Sequence, residues 1–440
     1  MKKSIIILSS ILFGVFTQSL IAQELLSPQD VVKRALENNF GVQMSGNNLE
    51  IAANNKSILN TGFLPTVGAS AGANYNLNNL VANFQNGTTT ELNGAHSSSF
   101  NAGANLNYTL FDGLGRWYNY KQLKERYHLS ELEAKATMEN AVFDAMNAYY
   151  DVAVQTINVN TLKEAVQVSA NRLEREENSF NFGQSNKLAS LNAEVDLNTD
   201  SINLMNAELA LGNSMKNLNA LLLQDLMTAY RINTDITFMT AMSKEVLKKS
   251  MLENNSMLKQ AEQNRHLNEY SVQINRARYL PSLSATAQYG WNRNNNNEAS
   301  FLASSTSYGL SAGATLSWTL FDGGSTRTMV QNTKLSNANL GLQVEETKNN
   351  LNRDFELAWA NYQNGLYQYN ALEKNLVSSQ YNFQRTNEQF KLGQVGSVDF
   401  RQAQQNLLTV SNQVTQAKFS AKVAELRLLQ LSGLLLETNF

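Results

Sequence analysis

The stretch FNAGANLNYTLFDG at residues 100–113 recurs as LSAGATLSWTLFDG at residues 310–323. In both copies apolar or alanine side chains alternate with small polar ones, and a period of two is the pattern of a β-strand whose two faces differ. Each copy closes on Leu-Phe-Asp-Gly, and the two closings lie 210 residues apart (323 minus 113). The sequence therefore predicts two matching amphipathic strands in separate halves of the chain.

Two further runs alternate in the same way, so each half holds a pair of strands. The four predicted strands lie at about 65–78, 98–111, 281–292 and 308–320. They are longer than the roughly 5–6 residues of ordinary globular strands and long enough for the roughly 9–11 residues of a tilted membrane-spanning strand. Alternation of this kind, with aromatic residues near the strand ends, is typical of a membrane barrel. We therefore expect a sheet in a membrane rather than half of a soluble sandwich.

Other landmarks show that the whole chain is duplicated. Leu-Glu-Asn-Asn at 36–39 and Leu-Pro at 64–65 recur 216 residues later, and Gly-Gln at 183–184 recurs 210 residues later. The offset changes by six residues between the paired strands, where segments 82–96 and 292–299 are rich in Asn, Gly and Thr and predict loops. The predicted organisation is a signal peptide at 1–22, a first repeat at 23–225, an irregular equatorial segment at 226–244 and a second repeat at 245–440.

The first residues have the pattern of a secretory signal. Lys2 and Lys3 precede an apolar run, residues 5–16, and Ala22 offers a small residue for cleavage. The apolar run is shorter than the roughly 20 residues of a spanning helix, and no later run of that length follows. The chain has no cysteine, a net charge of −2 and only 16% charged residues. This composition excludes disulfides and thiolate metal sites and argues against a nucleic-acid partner.

The rest of the chain predicts long helices. There are only three prolines in 440 residues, and proline breaks helix interiors. From Asp112 to about Phe180 apolar residues recur every three to four positions, which predicts one helix of some 67 residues in the first half and its match in the second. The other predicted helices lie at roughly 185–223, 397–436, 27–62 and 245–278.

Four strands are too few to close a membrane barrel, for which the smallest number is about eight. Open strand edges in lipid leave backbone groups without partners. Three chains would supply twelve strands. The expected fold class is an α+β membrane protein that is internally duplicated. Its four strands form one third of a twelve-stranded β-barrel made by three chains, and its long helices pack as antiparallel coiled coils.

The order of these motifs resembles the TolC-type outer-membrane efflux family over nearly the whole chain after residue 22. The features that carry the resemblance are the Phe63-Leu64-Pro65 helix end, the two Leu-Phe-Asp-Gly turns and the Leu392-Gly393-Gln394 tip. The resemblance implies a homotrimer in the outer membrane, in contact with its lipid, whose α-barrel lies in the periplasm. It also implies a periplasmic adaptor and an inner-membrane pump of RND or ABC type, with the channel a passive exit duct. No cofactor is implied.

The resemblance implies roles for residues near the helix tips. Asp399 matches the position of an acidic ring at the periplasmic aperture, and Gln402 replaces a second acid. The residues that latch the closed tip in the family are replaced by Phe390 and Val395. An alternative for Asp399 is helix capping. The candidates for tight turns and adaptor docking are Gly183, Gln184, Gly393 and Gln394.

Aromatic residues near the strand ends predict membrane-interface girdles, and the candidates are Tyr75, Tyr108, Trp291 and Trp318. We also expect Asp112 and Asp322 to cap the long helices.

Enzyme chemistry has little support. Two G-x-S-x-G matches, at 68–72 and 309–313, fall inside predicted strands rather than at strand-to-helix turns. The three histidines, His96, His128 and His266, are isolated. An alternative to the channel is a structural or adhesive coiled-coil protein of the outer membrane with no transport role.

Overall fold

A computed structural model describes residues 25–239 and 243–438, and the predicted signal peptide at 1–22 lies outside the described residues. Strands are β1 (Leu25–Leu26), β2 (Thr66–Asn83), β3 (Thr89–Asp112), β4 (Arg231–Ile232), β5 (Ser282–Asn295) and β6 (Ser304–Ser317). Helices are α1 (Pro28–Asn38), α2 (Phe40–Asn55), α3 (Gly115–Asn181), α4 (Lys187–Leu221), α5 (Lys244–Asn254), α6 (Ser256–Ala277), α7 (Ser325–Lys391) and α8 (Ser397–Leu431).

Two antiparallel helical hairpins dominate the molecule. Helices α3 and α7 each have 67 residues, a length of about 100 Å. Helices α4 and α8 have 35 residues each and pack back along them. None of the three prolines falls in these four helices, so their backbone hydrogen bonding is unbroken. The long helices predicted from the sequence are confirmed.

The two lead-in helices, predicted as single units at 27–62 and 245–278, are each broken, which corrects the prediction. The breaks lie at Asn39 and Asn255, where ψ reaches 125° and 124°. Each asparagine side chain accepts from backbone N–H groups of the next helix, which is how an N-cap starts a new helix. The repeated Leu-Glu-Asn-Asn sequence is therefore a helix-break signal.

A four-stranded antiparallel sheet has the order β2-β3-β5-β6. The register aligns equivalent positions of the two repeats, with Ala104 opposite Tyr289 and Tyr289 opposite Leu310. Strand β3 joins the first hairpin to the second, so β2 and β6 are the outer strands. Within the described part of the chain the outer edges of β2 and β6 have no strand partner.

The strands differ from the predicted ones at their far ends. Strand β2 continues to Asn83 and β3 begins at Thr89, so segment 82–96 is mostly paired strand rather than loop. Residues Leu80 and Leu92 pair beyond a register shift that follows Asn78. Thr is a good strand former and each added pair satisfies backbone groups, so Asn and Gly content alone was a poor loop signal. The last strand spans 304–317 instead of 308–320.

The main core lies where the middle of α3 meets α1, α8 and the small sheet formed by β1 and β4. Tyr149 is fully buried, and its hydroxyl lies 3.2 Å from the carbonyl oxygens of both Leu26 and Asn233. On α8, Lys422 donates to the carbonyl of Thr237 at 2.8 Å. These bonds tie the irregular segment between the repeats to the long helices.

Glu139 of α3 is a buried carboxylate where α3 meets α6. Ser256 donates to one of its oxygens at 2.8 Å, while the other oxygen has no hydrogen-bond partner. Burial raises the pKa of Glu139, against the opposing effects of Ser256 and Lys135. The folded chain therefore holds this proton more tightly than the unfolded chain does.

Glu139→Gln is expected to stabilise the protein at neutral pH. Because the folded-state pKa is raised, the free energy of unfolding falls as pH rises from about 4.5, the ordinary value, through the folded pKa. The amide variant lacks this loss, so its advantage over the parent should grow with pH and vanish at low pH. Thermal unfolding across pH measures it, with Glu133→Gln, an exposed carboxylate on the same helix, as the control. A constant difference at all pH values would contradict the account.

Candidate functional site: the helix tips and the two faces of the sheet

The tips of the two helical hairpins have the same turn. Gly183 and Gly393 both have φ of +70°, a conformation that only glycine adopts readily. In each turn the glycine N–H donates to the helix carbonyl three residues back, and the following Gln184 or Gln394 donates to the carbonyl five residues back, at 2.7–3.0 Å. This pair of hydrogen bonds is the Schellman motif, a common ending of a helix. An added Cβ at either glycine meets no atom within 4 Å, so both turns present an open surface.

Asp399 lies in the first turn of α8 and is exposed. Its carboxylate accepts from the backbone N–H of Gly396 at 3.3 Å, so it caps the helix while part of it faces solvent. Gln402 is also exposed, and its amide donates to Asn406 at 2.9 Å. Both residues predicted from the resemblance therefore lie on the surface next to the second tip.

A buried ionic cluster lies close to the tips and was missed by the sequence reasoning. The guanidinium of Arg401 on α8 makes two hydrogen bonds to Asp200 on α4, at 2.6 and 2.8 Å. Burial by itself lowers the pKa of Arg401, but the hydrogen bonds to Asp200 and its charge outweigh this and raise it. On α3, Ser169 donates to the same carboxylate at 2.5 Å. This cluster joins the two helical hairpins of one chain.

A second guanidinium extends the cluster towards the tip. Arg172 of α3 donates to Asp196 at 2.6 Å and to the hydroxyl of Ser397 at 2.8 Å. Nothing in the local sequence indicates these pairs, because their members lie 24 and 225 residues apart.

One of the two residues at the latch positions of the family, Phe390, packs inside the chain here. Phe390 is buried, with its ring centroid 4.7 Å from that of Phe400, and Arg175 covers it at 5.2 Å. The second tip is thus held by aromatic packing and by the ionic cluster.

One face of the sheet is polar and uncharged. Directly opposite residues of antiparallel strands share a face, and Gly68 lies opposite Asn105, with Gly72 opposite Asn101. An added Cβ at either glycine would lie within 2.9 Å of the asparagine side chain, so these amides lie flat over the glycines. On this face, within the ranges 66–78, 97–109, 284–294 and 305–317, every residue is Gly, Ser, Thr, Asn or Gln.

The other face is apolar and exposed in the single chain. The predicted girdle residues lie towards both ends of this face. Tyr75 and Trp291 lie towards the hairpin turns, whereas Tyr108 lies towards the helices, with Ala285 as its partner. Trp318 follows the end of β6, and its indole N–H donates to the carbonyl of Tyr279 at 3.1 Å. That these residues mark membrane interfaces stays a prediction.

The remaining motifs lie within strands and at the starts of the long helices. Ser70 and Ser311 lie within β2 and β6. The carboxylates of Asp112 and Asp322 each accept a hydrogen bond from the backbone N–H four residues later. They therefore cap the first turns of α3 and α7, although both lie a few residues before the helix starts. Among residues 25–239 and 243–438, no three His, Asp or Glu side chains are placed to hold a metal ion, and no helix has the length and apolarity of a membrane span.

Comparisons with known proteins agree with this geometry. A family model described as outer membrane efflux protein matches residues 31–222 and 247–434, one match to each repeat. The outer membrane protein TolC of Vibrio cholerae is 19% identical over 442 residues, covering 100% of this chain and 97% of the relative. The family is thus described as one of efflux proteins, and the relative as an outer membrane protein.

Solved structures have the same fold. The CmeC outer membrane channel of Campylobacter jejuni matches with a TM-score of 0.77 at 19% identity, covering 93% of this chain and 86% of that one. The outer membrane protein VceC of Vibrio cholerae matches with a TM-score of 0.73 at 16% identity, covering 92% and 96%.

Arg401→Met is expected to destabilise the helix tips, because it leaves the Asp200 carboxylate buried without its partner. Losing one member of a buried ion pair costs about 3–5 kcal/mol. Thermal unfolding and hydrogen exchange of the tip amides measure the loss. Lys391→Met removes an exposed cation paired with Glu388 at 3.0 Å and should cost under about 1 kcal/mol. Equal effects of the two substitutions would contradict a stabilising role for the cluster.

Proposed function

Because this chain belongs to the outer membrane efflux protein family, we propose that three copies form one channel, which acts as a passive exit duct. The family places the protein in the outer membrane with its helices in the periplasm. The observation that supports the duct most strongly is the sheet itself, with a neutral polar face, an apolar face and two open edges. A hollow barrel needs these features, because its polar face lines the lumen. An adhesive coiled coil does not require such a face.

The duplicated sequence indicates how the copies meet. Inside one chain, α6 of the second repeat packs on α3 of the first. Gln260 donates to the carbonyl of Leu132 at 3.1 Å, and Gln263 donates to Glu125 at 2.6 Å. The same surfaces exist once more in the chain, on α2 and on α7.

The second pair of surfaces is unfilled and apolar. Met44 is the α2 match of Gln260 at the offset of 216, and it is 60% exposed. Leu342 and Leu335 are the α7 matches of Leu132 and Glu125 at the offset of 210, and they are 70% and 65% exposed. We infer that α2 of one copy packs on α7 of the next, with Met44 near Leu342.

Helix α4 supports the same arrangement. A stripe of large apolar residues recurs every seven positions along it and is exposed throughout, namely Leu188, Val195, Ile202 and Leu209. A seven-residue repeat is the pattern of a coiled-coil seam. Leu209 matches Phe419 of α8, which is buried against Tyr150 of α3. The equivalent partner of Leu209 is α7 of a neighbouring copy.

These contacts are head-to-tail, and head-to-tail contacts generate a ring when the rotation closes. Each copy adds four strands through its β2 and β6 edges. Three copies give twelve strands with no open edge, which satisfies the backbone in lipid.

Cysteines introduced together at Met44 and Leu342 are expected to cross-link neighbouring copies. The chain has no native cysteine, so only the introduced thiols can form cross-links. Mild oxidation or a short bis-maleimide should convert the double variant into dimers and covalent trimers on a denaturing gel.

The matched control is the double cysteine variant at Leu132 and Gln260, the equivalent pair inside one chain. It should close an internal bridge and stay at monomer mass. Monomers alone from the Met44 and Leu342 variant, with both thiols open to a small maleimide, would contradict the proposed interface.

We propose that the tips form the periplasmic aperture. Asp399 is the exposed carboxylate beside the second tip, and three copies would place three of them around the axis, with Gln402 one turn further along α8. Gly183, Gln184, Gly393 and Gln394 offer open turns to a periplasmic adaptor. The energy for export would come from an inner-membrane transporter of RND or ABC type that the adaptor connects to the channel.

Asp399→Asn is expected to reduce the cation selectivity of the purified channel in planar bilayers and its block by divalent cations, because charged rings set selectivity in pores. Glu253→Gln removes an exposed carboxylate from α5, far from the tips, and serves as the control. If Asp399→Asn leaves cation selectivity and divalent block unchanged, the proposal of an acidic ring is wrong. Conduction by the wild type would still support the duct.

A further inference from the structure

On β3, β5 and β6 the apolar face of the sheet changes character near the hairpin turns, whereas on β2 it continues to Tyr75 and Leu77. One row holds Trp291 with its Cα partners Ala102 and Tyr308. Four residues further along the strands, past one intervening row, come Asn295 and Ser98, whose side chains are hydrogen-bonded at 3.1 Å. Aromatic side chains thus give way to amides and hydroxyls over a few residues, as at a membrane–water interface.

Arg293 occupies the row between them. Its Cα partners are Phe100 on one side and Thr306 on the other, so its side chain shares the apolar face. Between the rows of Leu283 and Asn295 it is the one charged side chain on this face of the four described strands. It is exposed, and within residues 25–239 and 243–438 no carboxylate pairs with it.

The height of Arg293 agrees with a position at the edge of the membrane. Ten residues separate it from Leu283 at the helix end of β5, which is about 34 Å along an antiparallel strand. At a tilt of about 40° this is about 26 Å along the barrel axis, close to the roughly 25 Å apolar band of such barrels. Since the helices are periplasmic, this edge belongs to the outer leaflet.

A neighbouring copy offers no counter-charge. Arg293 lies on β5, with β3 and β6 of its own chain on either side. The next strand beyond β6 in the proposed ring is β2 of another copy, and β2 has no charged residue. A cation that faces lipid and has no partner in the protein needs a counter-charge from the surrounding membrane.

We propose that Arg293, with the Thr306 hydroxyl beside it, binds the phosphate of an outer-leaflet glycolipid. The planar guanidinium matches two phosphate oxygens at once, and its long stem can lie along the apolar face with the charge at the interface. The aromatic rings of Trp291 and Tyr308 lie on the acyl-chain side of the site. The site rests on the outer-membrane location and on the barrel of the proposed function.

Native mass spectrometry of the detergent-purified protein tests this site. The probes are lipid A with its phosphates and the same lipid after enzymatic dephosphorylation. The wild-type complex should retain phosphorylated lipid A in about tenfold preference to the dephosphorylated form, as for one charge-assisted contact. Arg293→Gln should abolish the preference, and Arg293→Lys, which keeps the charge without the fork, should retain part of it.

Two controls keep the result specific. Arg327→Gln removes an equally exposed arginine at the start of α7, on the periplasmic side, and should leave the preference unchanged. Equal preference in wild type and Arg293→Gln would overturn the proposal, as would displacement of the lipid by an equal concentration of inorganic phosphate. The oligomer mass and bilayer conductance of the same samples report on the duct separately, so a conducting wild-type trimer without the lipid preference refutes this site alone.

Discussion

The backbone hydrogen bonds at the edges of the sheet are the constraint from which the rest of the molecule follows. Strand β2 has 18 residues and β6 has 14, and the outer edge of each has no partner among the described residues. In lipid there is no water to satisfy these groups, and each one left open costs several kcal/mol. A single chain leaves these groups open, and in the proposed trimer other copies of the same strands supply the missing partners.

The duplication makes such an assembly possible, because one contact inside the chain serves as the template for the contact between chains. The glycine of the repeated turn shows this directly. Gly113 and Gly323 share a φ of +68°, but an added Cβ at Gly113 would lie 2.4 Å from the carbonyl oxygen of Ala277, whereas at Gly323 nothing lies within 4 Å. The same turn is packed in one repeat and open in the other. In the proposed trimer a neighbouring copy would occupy the open one.

Much of the fold could be predicted from the sequence because its signals are local and periodic. Alternation identified the four strands, the scarcity of proline allowed 67-residue helices, and the repeat offsets gave the order of parts. Other features depend on distant residues. The Arg401–Asp200 pair joins positions 201 residues apart, and no pattern near either residue indicates it. The breaks at Asn39 and Asn255 did have a signal, an asparagine before a helical run, but each lead-in segment was interpreted as a single helix. The long first hairpin was missed because Asn and Thr were interpreted as loop residues, although pairing across the ribbon satisfies their backbone.

In the proposed duct the sheet and the helix tips have different roles. Within the ranges 66–78, 97–109, 284–294 and 305–317 the polar face has no charge to retain ions. The proposed barrel would therefore pass solutes without regard to their sign, and selection would fall to the periplasmic end. There the ionic cluster of Arg401 and Asp200 fixes one hairpin to the other, while Asp399 stays at the surface.

Cryo-electron microscopy of the detergent-extracted assembly tests the central claim most directly, because it shows which strand borders β2. The account predicts a closed ring of three chains in which β2 of each copy is hydrogen-bonded to β6 of the next. A particle of one chain, or a ring in which these two edges remain apart, would contradict it.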